Sequence, residues 1–542
     1  MTEIKPRVRV KAGTSSTQVA RISAPPTMRY LRADSAGILP MRRAVVRDAR
    51  QDVWEAAERA SALALDFMHN SGWMAGAADQ VVADTNGVEL ALNARPDLSR
   101  LGYDSKEQAD WARLVQREFR RYAWNPREVD LAGKMTLPEM LDAVVRHYLA
   151  YGEGFGITDF IPREHRARRG IETGSKVTVI APHRCPRTTR EIEGLDHGII
   201  HDGWGRAVAY LFKRRRAGIE VVDQVAAGNV IHVMDRGENA GSPRGISVMA
   251  PILKVVAQSD QLADATLATA LMQTIMAATI KSPEPSEEAF DAIRTLGDDM
   301  GGIEGVDDLR QDLIDVWANR IGALKEKGIS MSESARINHL GPGEEFEMHT
   351  ASTPGSQYLP FSKNLSREAA RRIGISASSY TMDFSDASYA SVRMEGATIW
   401  PIAVRRRERI SAPFAQGVYE PWLQESIAEG RVPLKGGLAA FLANKSSVCW
   451  AEWRGPEQPS ADPYKDALAN KVNLETGATT LQRIYAAKGQ DWEEEIEQAG
   501  KEIEALTDIG MAVPHGRSRG GDGAGPLGGA ADGDRVPQGG SA

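Results

Sequence analysis

The run from Tyr389 to Gly430, YASVRMEGATIWPIAVRRRERISAPFAQGVYEPWLQESIAEG, does most to narrow what this chain can fold into. Val392, Ile399, Ile402, Ile410, Phe414, Val418 and Trp422 recur in it at helical intervals. Gly396 and Pro401 sit inside the run. An interior proline removes one i→i−4 bond and crowds the preceding turn, so the spacing predicts a long helix kinked near Pro401. The opposite face reads as basic: Arg405, Arg406, Arg407 and Arg409. Ahead of it lie a short helical segment, SREAARRIGI, and a polar loop, SASSYTMDFSDAS. Taken alone, these are a loop and an amphipathic helix of a soluble α+β protein. A second extended run, Ile252 to about Ile280, has no Gly or Pro and predicts a helix of roughly 40 Å. Its stripe of Ile252, Val255, Val256, Leu262, Leu267, Leu271 and Ile275 must be covered by something.

At 542 residues the chain is too long for one ordinary domain. A net charge of −7 argues against a general nucleic-acid coat, which is normally basic. It is compatible with a surface past which DNA slides, since every retained phosphate contact adds grip. Residues 1–50 carry eleven Lys or Arg against three acids, and 1–45 show no sustained period, so a disordered arm is expected there. Two cysteines, Cys185 and Cys449, cannot form a disulfide framework and suit a reducing compartment. No signal peptide is legible, and the most apolar helical run, Leu267 to Ile280, is too short to span a bilayer. The expectation is a soluble intracellular product with no membrane partner.

Helical patterns are read at Ala49–Met68, Lys106–Ala123 and Leu137–Tyr151, the last capped by Thr136. Strand-like runs follow at Val177–Ala181, Gly198–His201, Ala207–Lys213, Ile219–Val222 and Asn229–Met234. YGEGFGITDF (151–160) lacks the G-x-G-x-x-G spacing and a Walker lysine, so its glycines are read as a helix-to-strand turn. His183, Cys185, His197 and His201 match no familiar zinc spacing and are read as loop histidines and a buried thiol. Lys213 to Arg216 is read as a solvated hairpin end. Residues 284–315 hold eleven acids against two arginines, on their own a solvated acidic face. Near the C-terminus, Asp462 caps a helix with Pro463 at its first position and Gly477 stops it. The last 32 residues contain ten Gly and no Phe, Trp or Tyr, and are expected to be disordered. No G-x-S-x-G elbow, EF-hand spacing or other catalytic set is present, so no catalytic residue, metal or cofactor is expected.

The order IGIS..SY..DFSDASYASVRMEG, then RRRERISAPF…YEPWLQESIAEG, resembles the portal proteins of tailed double-stranded DNA phages, in particular the lambda-type portals. The step at Gly152-Glu153 resembles the family's DGE-x-F passage, and His232 with Pro243-Arg244-Gly245 its H…GQxRG passage. INHLGPGEEFEMHTASTPGSQY (337–358) resembles its L-x-PGE strand, and W…DP-x-K…G-x-x-T…G-x-D-W-E-E…Q…E its crown side. Together these passages cover roughly residues 50–508 in family order.

The resemblance implies a mainly helical α+β portal fold that forms rings. Its parts would be a basic disordered arm (1–48), an α/β wing domain (49–250), a stem helix (251–281), a clip region (282–350) and a second stem helix (351–375). A tunnel loop (376–388), a kinked helix with return to the wing (389–460), a helical crown (461–509) and a Gly-rich disordered tail (510–542) would follow. It further implies a non-enzymatic ring, usually of twelve copies, at one capsid vertex. Expected partners are double-stranded DNA, the large terminase subunit, the major capsid protein and scaffold, and head–tail connector proteins. The DNA-channel residues would be Ser378, Tyr380, Met382, Asp383, Phe384 and Asp386, with Tyr380, Met382 and Phe384 offering apolar contact and the two aspartates discouraging phosphate. The terminase-facing residues would be Glu287, Glu288, Asp298, Asp299, Asp307 and Asp308. Gly396, Pro401, Arg405, Arg406 and Arg407 would mark the kinked helix. The rival classes are a nucleic-acid enzyme using clustered carboxylates with Mg²⁺, and a monomeric structural adaptor.

Overall fold

The computed structural model describes residues 46–275, 278–281, 345–348 and 355–511, apart from 47, 217, 237–239, 386, 461, 489 and 491. Asp386 and the six acidic residues Glu287, Glu288, Asp298, Asp299, Asp307 and Asp308 therefore lie outside the described residues, as do most of the arm, clip and tail segments.

Among the described residues the first long helices are α1 (Ala49–Asn70), α2 (Gly72–Asn86), α3 (Ser105–Ala123) and α4 (Leu137–Tyr151). Helices α3 and α4 start on reciprocal capping boxes, Asp104 with Glu107 and Thr136 with Glu139, which satisfy amides the helix leaves open. Sequence periodicity missed α2, whose small residues give a weak pattern. Its buried face is Met74, Ala77, Ala78, Val81 and Val82. Strand β1 (Ala91–Ala94) lies between α2 and α3.

Two antiparallel sheets follow. In the first, β2 (Glu153–Phe160) sits between β3 (Ser175–Ile180) and β8 (Val230–Met234). The second runs in the order β4 (Leu195–Asp196), β5 (Ile199–His201), β6 (Ala207–Arg216) and β7 (Ile219–Ala226). Phe155, Ile157, Ile180, Cys185, Ile199, Tyr210 and Phe212 form a small core here. The glycines of YGEGFG are explained by packing within β2. A Cβ on Gly156 would lie 2.7 Å from the Phe414 ring, and one on Gly154 would lie 2.9 Å from Val144.

Helix α5 (Leu253–Ile275) is shorter than its pattern predicts. Residues 278–281 are not helical: they form strand β9 (Ala278–Lys281), antiparallel to β10 (Glu345–Met348), with Ile280 opposite Phe346. The β-branched Thr279 and Ile280 favour the extended state once the alternating EFEM segment offers a partner. Helix α6 (Tyr358–Ile373) returns beside α5, its Tyr358 and Phe361 sharing a cleft with Leu262 and Thr266. The α5 stripe divides along its length: Ile252, Leu253, Val255 and Val256 are buried, whereas Leu267 is 61% exposed.

The chain then forms α7 (Ala377–Thr381), α8 (Tyr389–Arg406) and α9 (Ala412–Ala428), the last two joined through a π-helical turn at Arg407–Ser411. Helix α9 crosses the main core. Phe119 of α3 meets Tyr419 at 5.3 Å, Trp422 at 5.1 Å and Trp453 at 5.8 Å, all edge-on. Trp453 belongs to β11 (Ala451–Arg454), which pairs with β1, about 360 residues earlier in the chain. Helices α10 (Pro463–Glu475), α11 (Leu481–Ala487) and α12 (Trp492–Asp508) complete the described residues. Asp462 caps α10 as its sequence predicts, accepting from the Lys465 amide at 3.2 Å.

Candidate functional site

The loop between α6 and α8 is held at both ends and in the middle. Ser376 opens α7 by accepting from the Ser379 amide at 2.9 Å. Ser388 and Ser391 form a capping box that starts α8. Between them Met382 takes the left-handed conformation at φ 53°, unusual for a residue with a Cβ. Asp383 braces the turn: its carboxylate accepts from the Ser385 hydroxyl at 2.6 Å and amide at 3.1 Å, and pairs with Lys363 at 3.1 Å. These Ser385 bonds, then the Lys363 charge, bring its carboxyl down to about 2.

Not all the residues expected to face DNA are free to do so. Tyr380 is buried, stacked on Trp73 at 5.9 Å, with its hydroxyl 3.8 Å from Met74 Sδ. It anchors the loop on α2 and is not an outward contact. Ser378 donates to Glu395 Oε2 at 2.6 Å and is occupied in the same way. Met382, 74% exposed, and Phe384, 49% exposed, are the apolar residues the loop presents outward.

Half of the basic face expected on the long helix is internal. Arg406 and Arg407 are buried, and each donates to main-chain carbonyl oxygens. Arg406 donates to Ile373 O at 2.7 Å; Arg407 donates to Thr85 O at 2.8 Å and Pro456 O at 3.0 Å. Arg405 and Arg409 both pair with Asp235, at 2.9 and 2.7 Å. Pro401 is accommodated inside α8, and the departure from α geometry comes later, at Arg407–Ser411. At Gly396 the segment around Gln458 passes so close that a Cβ would sit 3.1 Å from its side-chain nitrogen.

Two of the motif passages meet in space just before α5. Glu153, at the start of β2, and Arg244 are fully buried. Arg244 Nε donates to both Glu153 oxygens at 2.8 and 3.0 Å, and its other nitrogens donate to the carbonyls of Pro182, Cys185 and His197. The Gly245 amide donates to Glu153 Oε2 at 2.9 Å, and His232 Nε2 lies 3.2 Å from the same oxygen. The Phe155 ring stacks on His232 at 4.4 Å and lies under the Arg244 guanidinium. Gly152 and Gly245 let the end of α4 and the 242–247 turn touch: a Cβ on Gly152 would fall 2.1 Å from Ile246 O. Cys185 and His197 thus serve Arg244 through their carbonyls. Among the described residues no group of three or more His, Cys, Asp or Glu could hold a metal ion.

Burial opposes ionisation of Glu153, but the Arg244 charge and the bonds from His232 and Arg244 prevail and take its carboxyl to about 2. Burial holds the His232 imidazole below its ordinary 6.5 despite the facing carboxylate. Both folded-state values lie below the unfolded ones, so both make the fold less stable in acid. The His232 contribution is complete above pH 6.5 and declines below it. The Glu153 contribution is complete above 4.5 and is lost towards pH 2. The urea midpoint is expected to fall steadily from pH 7 to pH 4; a flat profile over that range would contradict this assignment.

Sequence reading noted Glu153 and Arg244 in separate motifs without pairing them. It missed the second buried ion cluster altogether, Arg166 with Glu425 at 2.8 Å and Glu429 at 2.6 Å. Nothing local in the sequence signals it.

Comparison with known proteins agrees with the motif order. The family model described as phage portal protein, lambda family, matches residues 39–407. The chain is 23% identical over 470 residues to portal protein B of Escherichia phage lambda, covering 84% of this chain and 85% of that protein. It is equally identical over the same length to the portal protein of Escherichia phage N15, covering 84% and 86%. Among solved structures it is similar to a chain in the neck of an empty gene transfer agent particle, with TM-score 0.41, 12% identity, and 78% and 93% coverage. With the family matched across more than half its length, this chain belongs to the lambda family of phage portal proteins.

Proposed function

We propose that twelve copies of this chain close into a ring at one vertex of the capsid and form the channel through which double-stranded DNA is packaged and ejected. In this reading the large terminase subunit docks at the clip region, residues 282–350. The major capsid protein and scaffold surround the ring, and head–tail connector proteins bind after packaging. The chain itself does no chemistry. The observation that carries the reading, beside family membership, is the outer half of the α5–α6 pair. Leu267, Leu359 and Phe361 are exposed there on helices whose inner halves are packed. Large apolar groups left exposed along one end of a helix pair favour contact with neighbouring chains.

The loop 376–388 is then the segment that meets DNA, through Met382 and Phe384. Apolar tips suit sliding, because they make no salt-dependent grip on phosphate. Replacing both by lysine is expected to leave ring formation intact and to cut the DNA packaged per particle by about tenfold or more, as each new cation holds phosphates. Unchanged packaging would remove this loop from the channel. The nuclease alternative is checked on the same preparation: supercoiled plasmid incubated with the ring and Mg²⁺ should stay intact, and a cut would contradict the proposal.

A further inference from the structure

Helix α10 has no buried residue, yet Tyr464, Leu468 and Val472 recur on it at i, i+4 and i+8, exposed by 77%, 49% and 49%. A 13-residue helix is marginal in water without a packed face, so this stripe calls for a cover. At 100° per residue, Lys471 and Lys465 fall on the two sides of the stripe. Their pairings within the chain, with Glu475 at 4.0 Å and Asp462 at 3.1 Å, are exposed local pairs of the kind that exchange at little cost.

Elsewhere on the same chain is an open groove of about 1300 Å³ between the α8–α9 junction and residues 445–458. Trp400, Trp450, Pro413 and Pro456 line it, and Trp450 is 63% exposed. Four acids line it, Glu408, Glu420, Glu452 and Glu457, against three cations. Arg407 is turned inward onto carbonyls, Lys445 pairs with Glu420 at 3.1 Å, and Arg454 donates to Gln490 O at 2.7 Å, which leaves the rim net acidic. Acids around an aromatic floor repel phosphate and favour a helix with an apolar stripe bordered by lysines. The chain's own α10 does not fill the groove: Lys465 lies over Tyr389, eleven residues before Trp400 and so roughly 16 Å away along α8.

We infer that α10 of one copy docks its Tyr464–Leu468–Val472 stripe into the Trp400–Trp450 groove of the next copy. The inference rests on the ring reading and deepens it. Stripe and groove are different surfaces of one chain, so the contact is head-to-tail, the kind that closes into rings. Trp450 is the anchor, a large aromatic at the centre of the contact.

The test uses two full-length variants, Leu468→Asp/Val472→Asp in the stripe and Trp450→Asp in the groove. All three positions are exposed, so both variants should unfold within about 3 °C of the parent chain. At a concentration where the parent assembles, each variant alone should remain at 59.0 kDa, with the assembled fraction reduced at least tenfold. Each keeps one intact surface, so an equimolar mixture should yield a species of twice that mass and nothing larger. Rings from either variant alone, or a mixture that stays monomeric, would overturn the docking while leaving the ring itself standing. A parent chain that never exceeds 59.0 kDa would overturn both.

Discussion

Arg244→Met is expected to cost the folded chain about 3–5 kcal/mol, because it leaves Glu153 as a buried carboxylate without its cation. Three main-chain carbonyls, those of Pro182, Cys185 and His197, lose their donor in the same step. The cost should depend on pH in a direction opposite to the parent's. Without Arg244, burial pushes Glu153 above its ordinary 4.5, and acid then neutralises it. The gap between parent and variant should therefore narrow from pH 7 to pH 5. Adding Glu153→Gln to Arg244→Met should recover part of the loss at pH 7. Urea midpoints of the three chains at both pH values check this, and a loss below about 1 kcal/mol would show that the pair does not organise the junction.

Gly152→Ala should be as damaging by a different route. Its φ of 79° is the left-handed region, which costs a residue with a Cβ about 1–2 kcal/mol by itself. The added methyl would also meet Ile246 O at 2.1 Å, a backbone atom that cannot swing aside. The 242–247 turn and β2 must separate to admit it, and separation breaks the Glu153–Gly245 bond. Little soluble protein is expected. Gly76→Ala is the matched control, because a Cβ there meets nothing within 4 Å and the site lies within α2. That change should raise stability by about 1 kcal/mol. Equal behaviour of the two variants in thermal unfolding would contradict the account.

Much of the fold was legible where the physics is local. The Thr136 cap of α4 and the Asp462 cap before Pro463 act within one helical turn, and both appear where the sequence places them. The strands from Val177 to Met234 alternate strongly enough to be located. What escaped detection depends on partners far away along the chain. Arg407 reads as part of a basic face until the carbonyl of Thr85, 322 residues away, accepts its Nε–H. Tyr380 reads as a free loop aromatic until Met74, 306 residues away, receives it. No Gly or Pro stands near Ile275, yet residues 278–281 pair as a strand with 345–348, far along the chain. Motif order singles the loop out as a candidate, but which of its residues point outward was not legible.

The central claim, that identical copies cover each other's apolar helix faces by closing into a ring, is tested most directly by mass photometry of the purified full-length chain. Twelve copies of a 59.0 kDa chain give a particle of roughly 700 kDa, and the account predicts that species. A well-folded chain that remains at 59.0 kDa under every assembly condition would contradict it.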